Sequence, residues 1–350
     1  MIFMKTMAAV LIEINKPLML MELELPQLKS GQVLVDVKYS GICHSQLNEI
    51  RGKKGPDKFL PHTLGHEGSG IVEAIGQDVT KVKKGDHVVL TWIKGKGKDV
   101  PSASYKSAEG KLVNSGAIST FMTKAVISEN RLVKIDNKMP LKEAVLLGCA
   151  IPTGAGIVLN TLKVRPGNSM AIFGIGGIGS SALIVAVSRG ASPIIAVDVS
   201  DYKRELSKEL GADHFINAKE ASVEEKILSL TGGRGVDFAI EASGNRIAME
   251  TAFMSVRDKG GLCVLAGNLS QGEKISIDPF DLIKGKRIVG TWGGESDPDR
   301  DIPDYVDLYL SGKLALSKIL THQFKLREIN EACDRLSRGE LGRAVIKNDE

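Results

Sequence analysis

Three short segments carry side chains able to do chemistry. "GICHSQLN" brings Cys43, His44 and Ser45 together, "LGHEGSGIV" holds His66 and Glu67, and "LLGCAIPTGAG" holds Cys149. Two thiolates and one imidazole from Cys43, His66 and Cys149 match the protein ligand count of a catalytic zinc, with a fourth position left for a substrate oxygen. Their separations, 23 and 83 residues, fit no local zinc-finger spacing, so spacing alone does not join them. Taken singly, Cys43 and Cys149 read equally well as small buried residues and His66 as a turn residue.

A fourth segment, "AIFGIGGIGSSALIV", sets Gly174, Gly176 and Gly179 in G-x-G-x-x-G spacing, with Gly177 and Ile178 inside it. The first glycine permits a tight turn, the second lets backbone approach a pyrophosphate, and the third lets a helix pack on a strand. The next apolar run, "PIIAVD", ends in Asp198, 19 residues beyond Gly179, where a carboxylate can accept both hydroxyls of an adenosine ribose. A negative charge there repels a 2′-phosphate, so the pattern predicts NAD rather than NADP. Lys203, five residues on, either adds a hydrogen bond to that ribose edge or is a solvated helix lysine.

The elements that must position these residues are legible in the hydrophobic rhythm. Up to about residue 135, short β-branched runs such as "VLVDVKY" and "DHVVLTW" alternate with Gly, Pro and Lys-Gly-Asp turns, which predicts a mostly β domain. From about 165 the pattern becomes strand, glycine turn and helix, repeated, with Val/Ile-rich strands that do not alternate. That is the signature of a parallel sheet covered on both faces, an α/β architecture. After 300 the chain reads helix ("PDYVDLYLSG"), helix ("LREINEACDRLSRGE") and a short strand ("RAVIK").

Composition sets bounds. The 350 residues suggest two domains, and 43% hydrophobic with 25% charged residues is ordinary for a globular chain with no membrane span. Forty-six basic against 42 acidic residues leave +4, with no long basic tract, so no nucleic-acid partner is expected. Four widely spaced cysteines suit a reducing compartment, and no apolar leader opens the chain, so the expected location is cytoplasmic.

Nearly the whole chain resembles the zinc-dependent medium-chain alcohol dehydrogenase family. The Cys, Gly-His-Glu and Gly-Cys motifs, the "GIGGIG" turn, the Asp198 and Lys203 pair, "GADHFIN" and the closing "RAVIK" follow in the family's order. The resemblance implies a mostly β GroES-like catalytic domain over 1–152 and 295–350, and a doubly wound parallel-sheet Rossmann domain over 153–294. It implies Zn²⁺ on Cys43, His66 and Cys149, with Glu67 as the acid behind the metal, and NAD as hydride acceptor from a small-molecule alcohol. By the same resemblance Ser45 takes the substrate proton, and His44 and Arg343 contact the cofactor pyrophosphate. Thr153 and Ile178 flank the nicotinamide, and a homodimer or homotetramer forms through the Rossmann sheet edge near "RIVGTW". A zinc-free quinone or enone reductase and a non-enzymatic dinucleotide-binding protein are the rival readings on this fold.

The chain departs from the family at three places. Gln46 stands where an aspartate is common, three residues after the first zinc cysteine, and brings no charge to the ligand imidazole. Asn48 stands where many relatives carry a relay histidine, and it does not titrate near neutral pH. The lobe "TWIKGKGKDVPSASYKSAEGKLVNSGAIST" lacks the four cysteines of a structural zinc, so one catalytic zinc per subunit is expected, with the lobe a loop ordered by other contacts or mobile. Trp92 at its start is either a pocket wall or a core aromatic. Lys94, Lys96, Lys98, Lys106 and Lys111, with Arg51, Lys53 and Lys54, would suit an anionic alcohol if they faced the substrate.

Overall fold

Period-two burial organises the first part of the chain. Strands β1 (Lys5–Leu11) and β2 (Met19–Glu24) pair antiparallel, and β3 (Gln32–Gly41) buries Val33, Val35 and Val37 on one face. There follow β4 (His62–Thr63), β5 (Glu67–Ile75), β6 (His87–Thr91), β7 (Ser104–Ser107), β8 (Leu112–Ser115), β9 (Lys124–Ser128) and β10 (Leu132–Lys134). The order β1-β2-β7-β8-β4 closes into a barrel. Its core contains Val10, Leu23, Val35, Tyr105, Val113, Met122 and Ile127.

The cysteine-free lobe is therefore not a plain loop. Its second half is the β7–β8 hairpin, a part of the barrel wall, turned at Gly110 with φ +77°. Tyr105 at the centre of β7 is fully buried, and its phenolic oxygen accepts the Val126 N–H at 2.9 Å. The first half is pinned by acids. Glu129, 1% exposed, accepts N–H groups of Thr80 (2.9 Å), Lys81 (3.1 Å) and Lys98 (2.9 Å), while Asp299 accepts the Lys96 N–H at 2.5 Å.

The second part is a strand-helix repeat. Strands β11 (Met170–Phe173), β12 (Ile194–Asp198), β13 (His214–Asn217), β14 (Phe238–Glu241), β15 (Leu262–Leu265) and β16 (Arg287–Gly290) lie in the order β13-β12-β11-β14-β15-β16, all parallel. This is the doubly wound arrangement, with its switch in strand order beside β11. The helix Gly177–Ser188 that follows β11 is apolar on all sides and mostly buried, as its small residues at 179–182 allow.

The tail returns to the first unit. Helix Pro298–Leu310 leads to β17 (Leu320–Lys325), helix Ile329–Ser337 and β18 (Arg343–Lys347). Strand β18 pairs antiparallel with β3, extending a sheet of order β10-β6-β5-β3-β18-β17, to which β9 adds by pairing with β3. Ile42, Leu47, Leu64, Phe121, Ile329, Leu336 and Ile346 form a second core, which fixes the segments on either side of Cys43 and His66. This computed structural model describes residues 4–220 and 222–348. One compact unit holds the residues up to Cys149 together with those from Asp297 onward, and the other is Ala150–Ser296. Among the described residues no single helix is long and apolar enough to cross a membrane.

Candidate metal centre and cofactor turn

Three separate turns bring the candidate ligands together. Cys43 is the N-cap of helix His44–Ile50, with extended backbone (φ −119°, ψ 152°). His66 enters β5 from Gly65, whose φ of +96° and contact with Thr120 and Phe121 leave no room for a side chain. Cys149 follows the short helical turn Val145–Gly148, whose last carbonyl is held by the Thr91 hydroxyl at 2.8 Å. The ligand atoms of Cys43, His66 and Cys149 lie within 4.8 Å of one another. A hydrogen bond with Cys149, aided by His66 and the Arg343 charge, holds the Cys43 thiol well below its ordinary value against the opposing effect of burial. That direction favours the thiolate, the form a metal requires.

Glu67 lies outside this group of three. It is fully buried, and its carboxylate pairs with the Arg343 guanidinium, itself 5% exposed. The two residues expected at different ends of the site thus form one ion pair. Burial lowers Arg343 from its ordinary value and the neighbouring Cys43 opposes that. Among the described residues Arg343 Nε has no hydrogen-bond partner. Ser45 Oγ lies 3.2 Å from His66 Nδ1, the Gln46 amide meets the same nitrogen, and His44 is exposed at the first turn of the helix.

In the second unit the three spaced glycines divide the work. Gly174 has φ +87°, and a Cβ there would meet Ser243 at 2.8 Å. Gly179 packs against the Gly174 carbonyl, where any side chain would clash, whereas a Cβ on Gly176 would meet nothing within 4 Å. Packing therefore explains Gly174 and Gly179, and leaves Gly176 as open space at the start of a buried helix, the shape a pyrophosphate needs. Asp198 closes the turn from β12: one oxygen accepts the Ile175 N–H (2.8 Å), the other those of Val199 (2.8 Å) and Ser200 (3.1 Å). Lys203 is no solvated lysine, being 4% exposed; burial lowers it from its ordinary value and Asp198 opposes that. Thr153 is 5% exposed, its hydroxyl unpartnered among the described residues, and Gly177 and Ile178, half-buried, open the helix.

Two family models match the chain: an alcohol dehydrogenase GroES-like domain over residues 29–137 and a zinc-binding dehydrogenase over 177–311. An S-(hydroxymethyl)glutathione dehydrogenase of Synechocystis is 34% identical across 98% of this chain and 100% of its own. A class-3 alcohol dehydrogenase of Pisum sativum is 35% identical, covering 97% of this chain and 96% of its own. The crystal structure of benzyl alcohol dehydrogenase from Acinetobacter calcoaceticus superposes with a TM-score of 0.89 at 34% identity, covering 99% and 100%. The chain belongs to the zinc-dependent medium-chain alcohol dehydrogenase family.

As an alcohol dehydrogenase of this family it acts on small-molecule alcohols, and its departures from the family can be placed. Gln46 is buried at 2% exposure, Asn48 is half-buried on the same short helix, and Trp92 is half-buried against the barrel core. Lys94, Lys98, Lys111 and Lys54 pair with Asp99, Asp78, Glu109 and Glu49. These exposed pairs stabilise little, but they turn half of the eight candidate cations toward local acids. Sequence reasoning named Glu67 and Arg343 but missed that they form an ion pair, which has no local signal.

Proposed function

We propose that this alcohol dehydrogenase holds one catalytic zinc on Cys43, His66 and Cys149, carries no structural zinc, and transfers hydride between an alcohol and NAD. The observation that carries the reading is the meeting of those three ligand atoms within 4.8 Å. Zinc bound there supplies Lewis-acid polarisation of an alcohol or carbonyl oxygen. Ser45, beside His66, takes the alcohol proton, and because Asn48 does not titrate near neutral pH that proton leaves by way of water or a cofactor ribose hydroxyl.

NAD suits the second unit. Asp198 accepts three N–H bonds out of about four lone-pair sites, so capacity remains for a ribose hydroxyl while its charge disfavours a 2′-phosphate. Lys203 offers a cation beside it, Gly176 the open turn and Thr153 an unpartnered hydroxyl for the nicotinamide, with Ile178 as the apolar wall. Arg343, oriented by Glu67, and His44 serve the pyrophosphate. The pairing of the lobe lysines favours an uncharged alcohol or polyol over an anionic one. A screen of alcohols, polyols, sugars and their phosphates for NAD reduction tests this; turnover confined to phosphorylated substrates would reverse it.

The exposed edge strand β16, in which Val289 is 40% exposed and just beyond which Trp292 is 78% exposed, supports a homodimer paired along that edge. Sedimentation velocity of the chain and of Val289→Lys decides: an unchanged mass in the variant removes β16 from the interface.

A further inference from the structure

The amide of Gln46 touches two of the three candidate metal ligands. Its Oε1 accepts the Cys43 N–H at 3.0 Å, and its Nε2 faces His66 Nδ1. The first contact is the return half of a helix cap: a glutamine at the third helical position reaches back to an N–H that has no partner within the helix. At 2% exposure Gln46 has no water to substitute for either contact.

An amide has one acceptor and one donor end. With Oε1 given to Cys43, the NH2 group donates to Nδ1, so Nδ1 presents its lone pair and the imidazole proton sits on Nε2. With Nδ1 already met by Ser45 and Gln46, Nε2 is the nitrogen left for the metal. A metal-bound neutral imidazole needs the opposite tautomer, with the proton on Nδ1 and an acceptor facing it. The Ser45 hydroxyl at 3.2 Å can accept that Nδ1–H, but the proton still meets the Gln46 NH2 donor head-on, so the amide has to turn and the helix cap loses its acceptor. A carboxylate at 46, the residue type the family commonly places there, has two acceptor oxygens and serves both.

We propose that Gln46 is a positioning residue that holds His66 as its Nε2–H tautomer when the metal is absent, so that zinc binding must turn the amide and weaken the cap. The site then binds zinc less tightly than one with a carboxylate at this position. This rests on the zinc reading above.

The test uses the full chain and its isosteric variant Gln46→Glu, with Gln46→Leu as the partner-free control. Zinc dissociation constants from chelator competition should fall about tenfold or more in Gln46→Glu and rise in Gln46→Leu, the usual range for the groups behind metal ligands being roughly 10–100-fold. Independently, ring ¹⁵N shifts of His66 in the metal-free proteins should report Nε2–H in the parent and Nδ1–H in Gln46→Glu. An Nδ1–H imidazole in the metal-free parent, or equal zinc affinity in parent and Gln46→Glu, overturns the inference. A parent that binds no zinc yet shows the Nε2–H tautomer instead overturns the zinc reading and leaves the tautomer assignment standing.

Discussion

Glu129→Ala is the sharpest perturbation of the contacts that order the cysteine-free lobe. The wild-type carboxylate is 1% exposed and accepts three backbone N–H groups, from Thr80, Lys81 and Lys98, at 2.9–3.1 Å. A hydrogen bond to a charged group is worth roughly 1.5–3 kcal/mol. The three share one acceptor and water can reach the freed donors, so their sum overstates the effect, and about 3–5 kcal/mol is expected. Against a typical total of about 5–15 kcal/mol that is a large fraction. Urea unfolding of wild type, Glu129→Gln and Glu129→Ala should rank in that order of stability, with faster amide exchange at Thr80, Lys81 and Lys98. Burial raises the Glu129 carboxyl, and the N–H donors from Lys98, Thr80 and Lys81 outweigh that and hold it below its ordinary value. Its contribution is therefore full above the unfolded-state value and is lost as pH falls through the folded one, so Glu129→Ala should flatten the acid limb of stability. A loss under about 1 kcal/mol, or an unchanged acid limb, refutes the reasoning.

Two further outcomes follow from named contacts. Asp198→Ala frees three N–H groups of the glycine turn and removes the charge proposed to face the ribose, so KM for NAD should rise and the NAD-over-NADP preference shrink; a preserved preference removes Asp198 from that role. Burial pushes the Tyr105 hydroxyl up from 10.0 to about 12, with the Val126 N–H opposing. Because the folded value is the higher, this stabilisation of roughly 2–3 kcal/mol is intact below pH 10 and lost between 10 and 12, and urea midpoints of Tyr105→Phe should lose that alkaline decline. An identical decline in the variant would assign it to other groups.

Local signals were legible in the sequence and long-range ones were not. The turn at Gly174–Gly179 and Asp198 lie on adjacent strands of one strand-helix unit, so spacing alone located them. Cys43, His66 and Cys149 sit at the ends of elements from three regions, and only family resemblance joined them before the fold did. The β7–β8 hairpin did leave a trace, the apolar residues Tyr105 and Val113 around a turn at Gly110, hidden by strands of only four residues in which serine is the commonest residue. Gln46 could have been read as a capping residue from its place three after Cys43. Glu67 and Arg343 could not have been paired, because β5 and β18 approach only through β3, their shared neighbour in the sheet.

The zinc content of the purified full chain and of Cys43→Ser, measured alongside alcohol-dependent NADH formation, decides whether a zinc held by Cys43 is needed for the reaction. About one zinc per chain is expected in the parent, with loss of both zinc and NADH formation in the variant. Alcohol oxidation that persists in a parent without zinc, or two tightly held zinc ions per chain, would contradict the zinc reading.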